Sequence, residues 1–257
     1  MNINKIKKLK DNKYKITIDN DDYITYDNVI LDNELLYKKS IDKDTFKKII
    51  DDTRFYEIYN KTVKYILKKL RSKKEIINYL NKNELKEEEI KKIIKKLESI
   101  NLINDEKFTK AYINDQIYLS KNGINKIRQN LLNQNIPSNI IENELSKIDN
   151  SVIDARLEKL VLKRIKSNKK YSNNELKIKI LNEAILLGYD KEKALSIIEN
   201  NIIEDSNIIE KEYTKIYNKL SLKYSGNELK NKIKQKLYSR GFAIEEINNV
   251  IQKKAED

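Results

Sequence analysis

Ser172-x-x-Glu175 and Ser225-x-x-Glu228 each set a hydroxyl three residues ahead of a carboxylate. They sit in decamers that share eight of ten residues, YSNNELKIKI (Tyr171–Ile180) and YSGNELKNKI (Tyr224–Ile233). A motif written twice is open to three readings: a catalytic motif, a ligand loop or a building block. Little else in the 257 residues helps the first two. His is absent, which removes an imidazole base, any Ser-His or Cys-His pair and any His-ligated metal. Cys is absent as well, so there is no disulfide framework and no thiolate metal site. Carboxylate, lysine or Mg²⁺ chemistry is left, and no acidic cluster converges to perform it. Asp105 is the one acid in a suggestive setting, and its simpler reading is as cap of a helix starting near Glu106. The trio Glu87–Glu89 likewise reads as carboxylates at a helix N-terminus, where they favour the dipole. No cofactor is expected, and the chain is read as a non-enzyme.

The building-block reading has a direct physical form. Ser-x-x-Glu is a capping box: the Ser hydroxyl accepts from a first-turn N–H and the Glu reaches back to the cap. Leu176 and Ile180, and likewise Leu229 and Ile233, then mark one buried face at i, i+4. The same template finds Ser72-x-x-Glu75 with Ile76 and Leu80, and a degraded copy, Gly123-x-x-Lys126 with Ile127 and Leu131. Downstream spacing pairs the copies. Glu75 to Leu85 and Lys126 to Ile136 span 10 residues, whereas Glu175 to Tyr189 and Glu228 to Phe242 span 14, about one helical turn more. Amphipathic segments precede and follow each copy. The chain from 53 onward is therefore expected to be four tandem three-helix repeats, 53–104, 105–150, 151–205 and 206–257, forming an elongated curved array.

Residues 1–52 differ. Lys13–Asp27 alternates apolar and polar residues around the turn-forming cluster Asp19–Asp22, a hairpin pattern. Tyr14, Ile16 and Ile18 share one strand face, Ile24 and Tyr26 another, and Asn2–Leu9 supplies a weaker third strand. Helical segments follow, the second with Asp42 as N-cap. The fold class is mainly α, with a small N-terminal β-hairpin and helix segment.

The formal charge of +13 is uneven: residues 1–60 are neutral and the rest carry the whole excess, +7 of it in 53–104. An acidic partner is implied. Basic residues around the helix-two starts form the candidate surface: Lys73, Lys74, Lys126, Arg128, Lys169, Lys170, Lys177, Lys179, Lys230, Lys232 and Lys234. A solvated lysine face is the competing reading of equal weight. Tyr59, Tyr65, Tyr79 and Tyr112 recur at helical spacing with Ile and Leu, which favours packing over base stacking. No apolar run reaches membrane-spanning length and no apolar segment follows the basic N-terminus, so the chain is expected to be cytoplasmic.

Several stretches, taken in order, carry a resemblance: R-S-x-x-E-I-x-x-x-L from Arg71, K-x-L-E-S-I-N-L-I-N-D-E-K-F-T-K-A-Y-I (Lys95–Ile113), K-N-G-I-N-K-I-R-Q-N-L-x-x-x-x-I (Lys121–Ile136) and Y-S-R-G-F (Tyr238–Phe242). Together they resemble the RecX regulatory proteins of bacteria, in the extended form of low-GC Gram-positive species. Gly123-Ile124 stands where the family commonly has Gly-Pro. Asn83-Glu84-Leu85 and Gln134-Asn135-Ile136 lack the Gly that Leu187-Gly188-Tyr189 and Arg240-Gly241-Phe242 keep, though Asn also tolerates the left-handed conformation. The resemblance implies a monomeric, non-enzymatic modulator that binds the RecA filament on single-stranded DNA and mostly inhibits its ATPase and strand exchange. Direct contact with single- or double-stranded DNA through the basic faces stays open. The alternative is a basic helical-repeat protein that binds nucleic acid without a recombinase partner.

Overall fold

The computed structural model describes residues 1–83, 85–203 and 207–256. The side chains of 255 and 256, the expected repeat join at 205/206 and Glu84 of the Asn83-Glu84-Leu85 turn lie outside the described residues. The chain divides into two compact units, Met1–Thr109 with Gln134–Ile140 and Lys110–Asn133 with Ile141–Asp257.

The first unit opens with three antiparallel strands, β1 (Ile3–Lys8), β2 (Lys13–Ile18) and β3 (Asp21–Tyr26), in sequential order. The expected hairpin is thus the β2–β3 half of a three-stranded sheet. Asp19 and Asn20 close it with φ of 46° and 77°, the two positive values that a two-residue type I′ turn needs. Register decides which side is buried. Ile16 pairs with Tyr23 and Tyr14 with Thr25, while Ile24 lies opposite Lys15. Ile16, Ile18 and Thr25 are accordingly buried, and Ile24 is 59% exposed. Tyr26 is buried where the strand runs into the short helix α1 (Asp27–Asp32).

The helix α2 (Lys43–Leu67) starts as expected at Asp42, whose carboxylate accepts from the Thr45 N–H at 2.7 Å. It then runs 25 residues, and the expected boundary at 52/53 lies inside it. No Gly or Pro interrupts that stretch. The side chains of Thr25 and Thr53 share a 2.6 Å hydrogen bond, which fixes the sheet to the middle of α2. The helices α3 (Lys73–Asn81) and α4 (Glu87–Ser99) complete the unit's core. Ile16 and Ile18 join Ile49, Tyr56, Ile66, Ile76, Leu80, Ile93 and Leu97 in one apolar cluster. Each such side chain contributes about 1.5–3 kcal/mol on burial. Tyr56 donates to Asp32 at 2.7 Å and accepts from the Lys96 ammonium at 3.1 Å, which pins α4 to α1. Burial, then the Asp32 hydrogen bond, pushes the Tyr56 phenol well up from its ordinary value.

The helices α5 (Asp105–Leu119) and α7 (Ser138–Leu145) each begin in the first unit and end in the second, with α6 (Ile124–Asn133) between them. The second unit then carries two three-helix groups. α8 (Asn150–Lys166), α9 (Asn173–Leu186) and α10 (Lys191–Asn201) bury Leu157, Val161, Ile180, Ala184 and Ile198. α11 (Asn207–Leu220), α12 (Gly226–Tyr238) and α13 (Ile244–Glu256) bury Tyr213, Ile216, Ile233, Leu237 and Ile247. As the spacing predicts, α3 and α6 have 9 and 10 residues, and α9 and α12 have 14 and 13.

Candidate partner-binding surface

The candidate cations cluster near the starts of α3, α6, α9 and α12, so the contacts that hold those starts in place come first. Three of the four are gripped by the turn that closes the second helix of the next group. In the first unit the Ser72 hydroxyl donates to Gln134 Oε1 at 2.8 Å. In the second unit the N–H groups of Gly123 and Asn125 donate to the carbonyls of Leu187 and Gly188 at 2.7 and 3.0 Å. There too, the Ser172 N–H donates to the Arg240 carbonyl at 3.1 Å and its hydroxyl to the Gly241 carbonyl at 2.6 Å. Each gripping turn holds one residue in the left-handed region: Asn135 at φ 60°, Gly188 at 81° and Gly241 at 84°. At the last two, glycine is required by space as well. A Cβ on Gly188 would lie 2.2 Å from the Lys126 nitrogen, and one on Gly241 would lie 2.5 Å from the Glu175 Cβ. The position matching Asn135 in the first turn is Glu84, which lies outside the described residues; beside it, the Asn83 amide donates to the Tyr79 carbonyl at 2.9 Å.

These joints correct the reading of the capping boxes. Of the Ser-x-x-Glu copies, only Ser72 makes the full box: it accepts from the Glu75 N–H at 3.1 Å, and its own N–H donates to Glu75 at 2.9 Å. Ser172 keeps the first bond, at 3.3 Å, but its N–H is taken by the Arg240 carbonyl, and Glu175 turns to Lys179 at 3.0 Å. Ser225 makes no side-chain cap at all. The degraded second copy also gains a reason. Its backbone N–H groups reach the neighbouring turn directly, and a Cβ at Gly123 would lie 2.6 Å from the Gly188 oxygen.

The expected surface divides into engaged and open cations. Lys73 pairs with Glu98 at 2.6 Å. Arg128 grips Glu142 in a fork at 2.6 and 3.1 Å and donates to Asn125 at 2.7 Å. That fork raises the Arg128 pKa and lowers that of Glu142. Lys177 pairs with Glu199, and Lys179 with Glu175. Lys74 is half-buried, and Lys126 is half-buried beside Gly188. Lys169, Lys170, Lys230, Lys232 and Lys234 are exposed and have no ion pair among the described residues. Lys170 lies 4.9 Å from the Tyr171 ring centre and Lys232 lies 5.7 Å from that of Tyr224.

Other polar groups resolve differently from expectation. The cap of α5 is Asn104, which accepts from the Lys107 N–H at 2.8 Å, so Asp105 is the first helical residue and not the cap. Burial pushes the Asp105 carboxyl above its ordinary value, and its buried Oδ1 has no hydrogen-bond partner among the described residues. Glu87–Glu89 do occupy the first turn of α4. Glu212, 2% exposed, pairs with Arg240 of the Y-S-R-G-F stretch. Composition gave no hint of that buried pair. Its one signal was an Arg in the turn position that Leu187 fills in the preceding group.

Comparison with known proteins places this arrangement. The chain is 31% identical over 262 residues to a "Regulatory protein RecX" of Streptococcus agalactiae serotype III, covering 98% of this chain and 99% of that protein. The chain belongs to the RecX family. A RecX of Streptococcus pyogenes serotype M3 is 32% identical over 258 residues, covering 96% and 97%. The model of the RecX third three-helix domain matches residues 204–251, the last three-helix group here. The crystal structure of a regulatory protein RecX superposes with a TM-score of 0.71 at 21% identity, over 78% of this chain and 99% of that one, which is agreement of fold. Among the described residues of this RecX chain, no helix is long and apolar enough to cross a membrane.

Proposed function

We propose that this RecX chain binds the RecA filament on single-stranded DNA and modulates it, mostly by inhibiting ATP hydrolysis and strand exchange, without catalysing a reaction itself. The observation that carries the reading is the end-to-end relationship to regulatory RecX proteins, 31% identity across 98% of the chain. Physical support comes from the run of three-helix groups, proposed as four repeats at 53–104, 105–150, 151–205 and 206–257, that would present cations to successive protomers of a polymer. The open lysines Lys169, Lys170, Lys230, Lys232 and Lys234 are the proposed contact set, and the ion-paired Lys73, Arg128, Lys177 and Lys179 serve first to brace their own groups. A cytoplasmic monomer is the proposed working form.

Those same open lysines favour a second reading, binding of nucleic acid with no recombinase. One assay separates the two: RecA ATPase on single-stranded DNA, titrated with this protein and with a basic protein of equal charge. Suppression well below one molecule per RecA protomer, by this protein alone, is the expected result. Equal suppression by the control would establish the second reading, and no suppression at any ratio would overturn the first.

A further inference from the structure

The last three-helix group bears an open groove between α12 and α13, about 360 Å³ in volume and lined by Lys234, Gln235, Tyr238, Ile244, Ile247 and Asn248. Two of its apolar walls face solvent rather than the core: Tyr238 is 65% exposed and Ile244 is 64% exposed. Ile247, 2% exposed, forms the floor. Lys230, Lys234 and Tyr238 follow at i, i+4 and i+8 along one edge of α12 and so stand about 6 Å apart per step along its axis. Both lysines are exposed, and neither has an ion pair among the described residues.

We propose that this groove receives an acidic peptide segment that inserts one large apolar side chain between Tyr238 and Ile244 and sets carboxylates against Lys230 and Lys234. Charge complementarity selects the occupant. Two unpaired ammonium groups beside an exposed apolar wall leave both charge and apolar surface unanswered, and an acidic segment with an apolar anchor answers both. Single-stranded nucleic acid fits less well. Tyr238 is the groove's single aromatic, so successive bases have no second platform, and apart from Lys234 the rest of the wall is aliphatic or amide. A helical segment carrying acids at i and i+4 would match the lysine spacing, which makes the mode helix-in-groove.

This goes beyond the filament-binding proposal by naming a site and a ligand chemistry, and its test needs no recombinase. A fluorescein-labelled helical peptide with two Glu four residues apart and a Leu on the same face is titrated against the full chain by anisotropy. Its Leu→Ser version and an oligo-dT of similar length are run in parallel. Ile244 is mostly exposed, so Ile244→Ser leaves the core intact, and circular dichroism verifies that fold. The expected outcome is binding of the Leu peptide that weakens at least about 10-fold with either Leu→Ser or Ile244→Ser, and about 100-fold with Lys230→Glu/Lys234→Glu. Equal affinity for the Leu and Ser peptides would reduce the site to a charge patch and overturn the proposal. So would failure of both peptides to bind, or binding of oligo-dT alone. Because RecA inhibition is measured separately, either reading can fail while the other stands.

Discussion

Tyr171–Ile180 and Tyr224–Ile233 are nearly the same ten residues in opposite circumstances. The first is enclosed: Ser172 gives its N–H and hydroxyl to the turn at Arg240 and Gly241, and space there is so short that the turn residue must be glycine. The second is open. Ser225 makes no cap, and Gly226, at φ 55°, has nothing within 4 Å of where a Cβ would stand. The difference teaches that the motif starts a helix in both places but becomes a joint only where a neighbouring turn packs on it. The requirement for Ser and Gly is thus a property of the neighbour as much as of the motif.

The largest expected effect comes from the turn that closes the first of these decamers. Arg240→Met leaves Glu212 buried without its counter-charge and is expected to cost about 3–5 kcal/mol. Thermal unfolding checks this, and Arg240→Met/Glu212→Leu should recover most of the loss. An unchanged melting temperature in the single variant would mean that the pair holds nothing.

Next come the glycines, which test the enclosed and open environments directly. Gly188→Ala must push a methyl into the Lys126 backbone from a left-handed φ, with an expected cost of about 2–4 kcal/mol. Gly226→Ala meets only the left-handed penalty, about 1 kcal/mol. Urea midpoints at unchanged m-value would rank them, and equal costs would break the contrast.

The serines should follow the same order on a smaller scale. Ser172→Ala is expected to lose about 1–2 kcal/mol, and Ser225→Ala less than about 0.5 kcal/mol. A similar loss at both would show that Ser225 caps its helix in solution.

The smallest effect is one of pH, at Asp105. Its folded-state pKa is raised by burial, so the folded state holds the proton more tightly than the unfolded state does. The contribution is therefore favourable below the ordinary carboxylate pKa and is lost as pH rises through the raised value. Asp105→Asn should accordingly raise the melting temperature by a few degrees at neutral pH, with the gain shrinking toward acid pH. A gain that grew on acidification would reverse the assignment.

The helical groups and their register were legible from periodicity, because a buried stripe such as Ile90, Ile93, Ile94 and Leu97 leaves a local mark in the chain. The extra turn of α9 and α12 was legible from a four-residue change in spacing. The third strand, with its weak alternation, was only half legible. The joints were not, since they are made largely by main-chain N–H and carbonyl groups between residues 60 to 70 positions apart, as with Gly123–Leu187 and Ser172–Arg240. Candidate cations were easy to pick by type and hard to sort. Whether a lysine is open depends on a carboxylate from another helix, as Glu199 is for Lys177.

The unbroken α2 has a consequence for how the molecule comes apart. A single helix of 25 residues, about 37 Å long, belongs at one end to the sheet and at the other to α3 and α4. No flexible tether divides an N-terminal piece from the helices beyond it, so cutting at 52/53 would expose the halves of one core rather than free a domain. The first unit should melt in one cooperative step, with sheet and helices lost together. A deletion that preserves the rest of the chain has to end before Asp42 and must then leave Ile49 and Tyr56 without their cover.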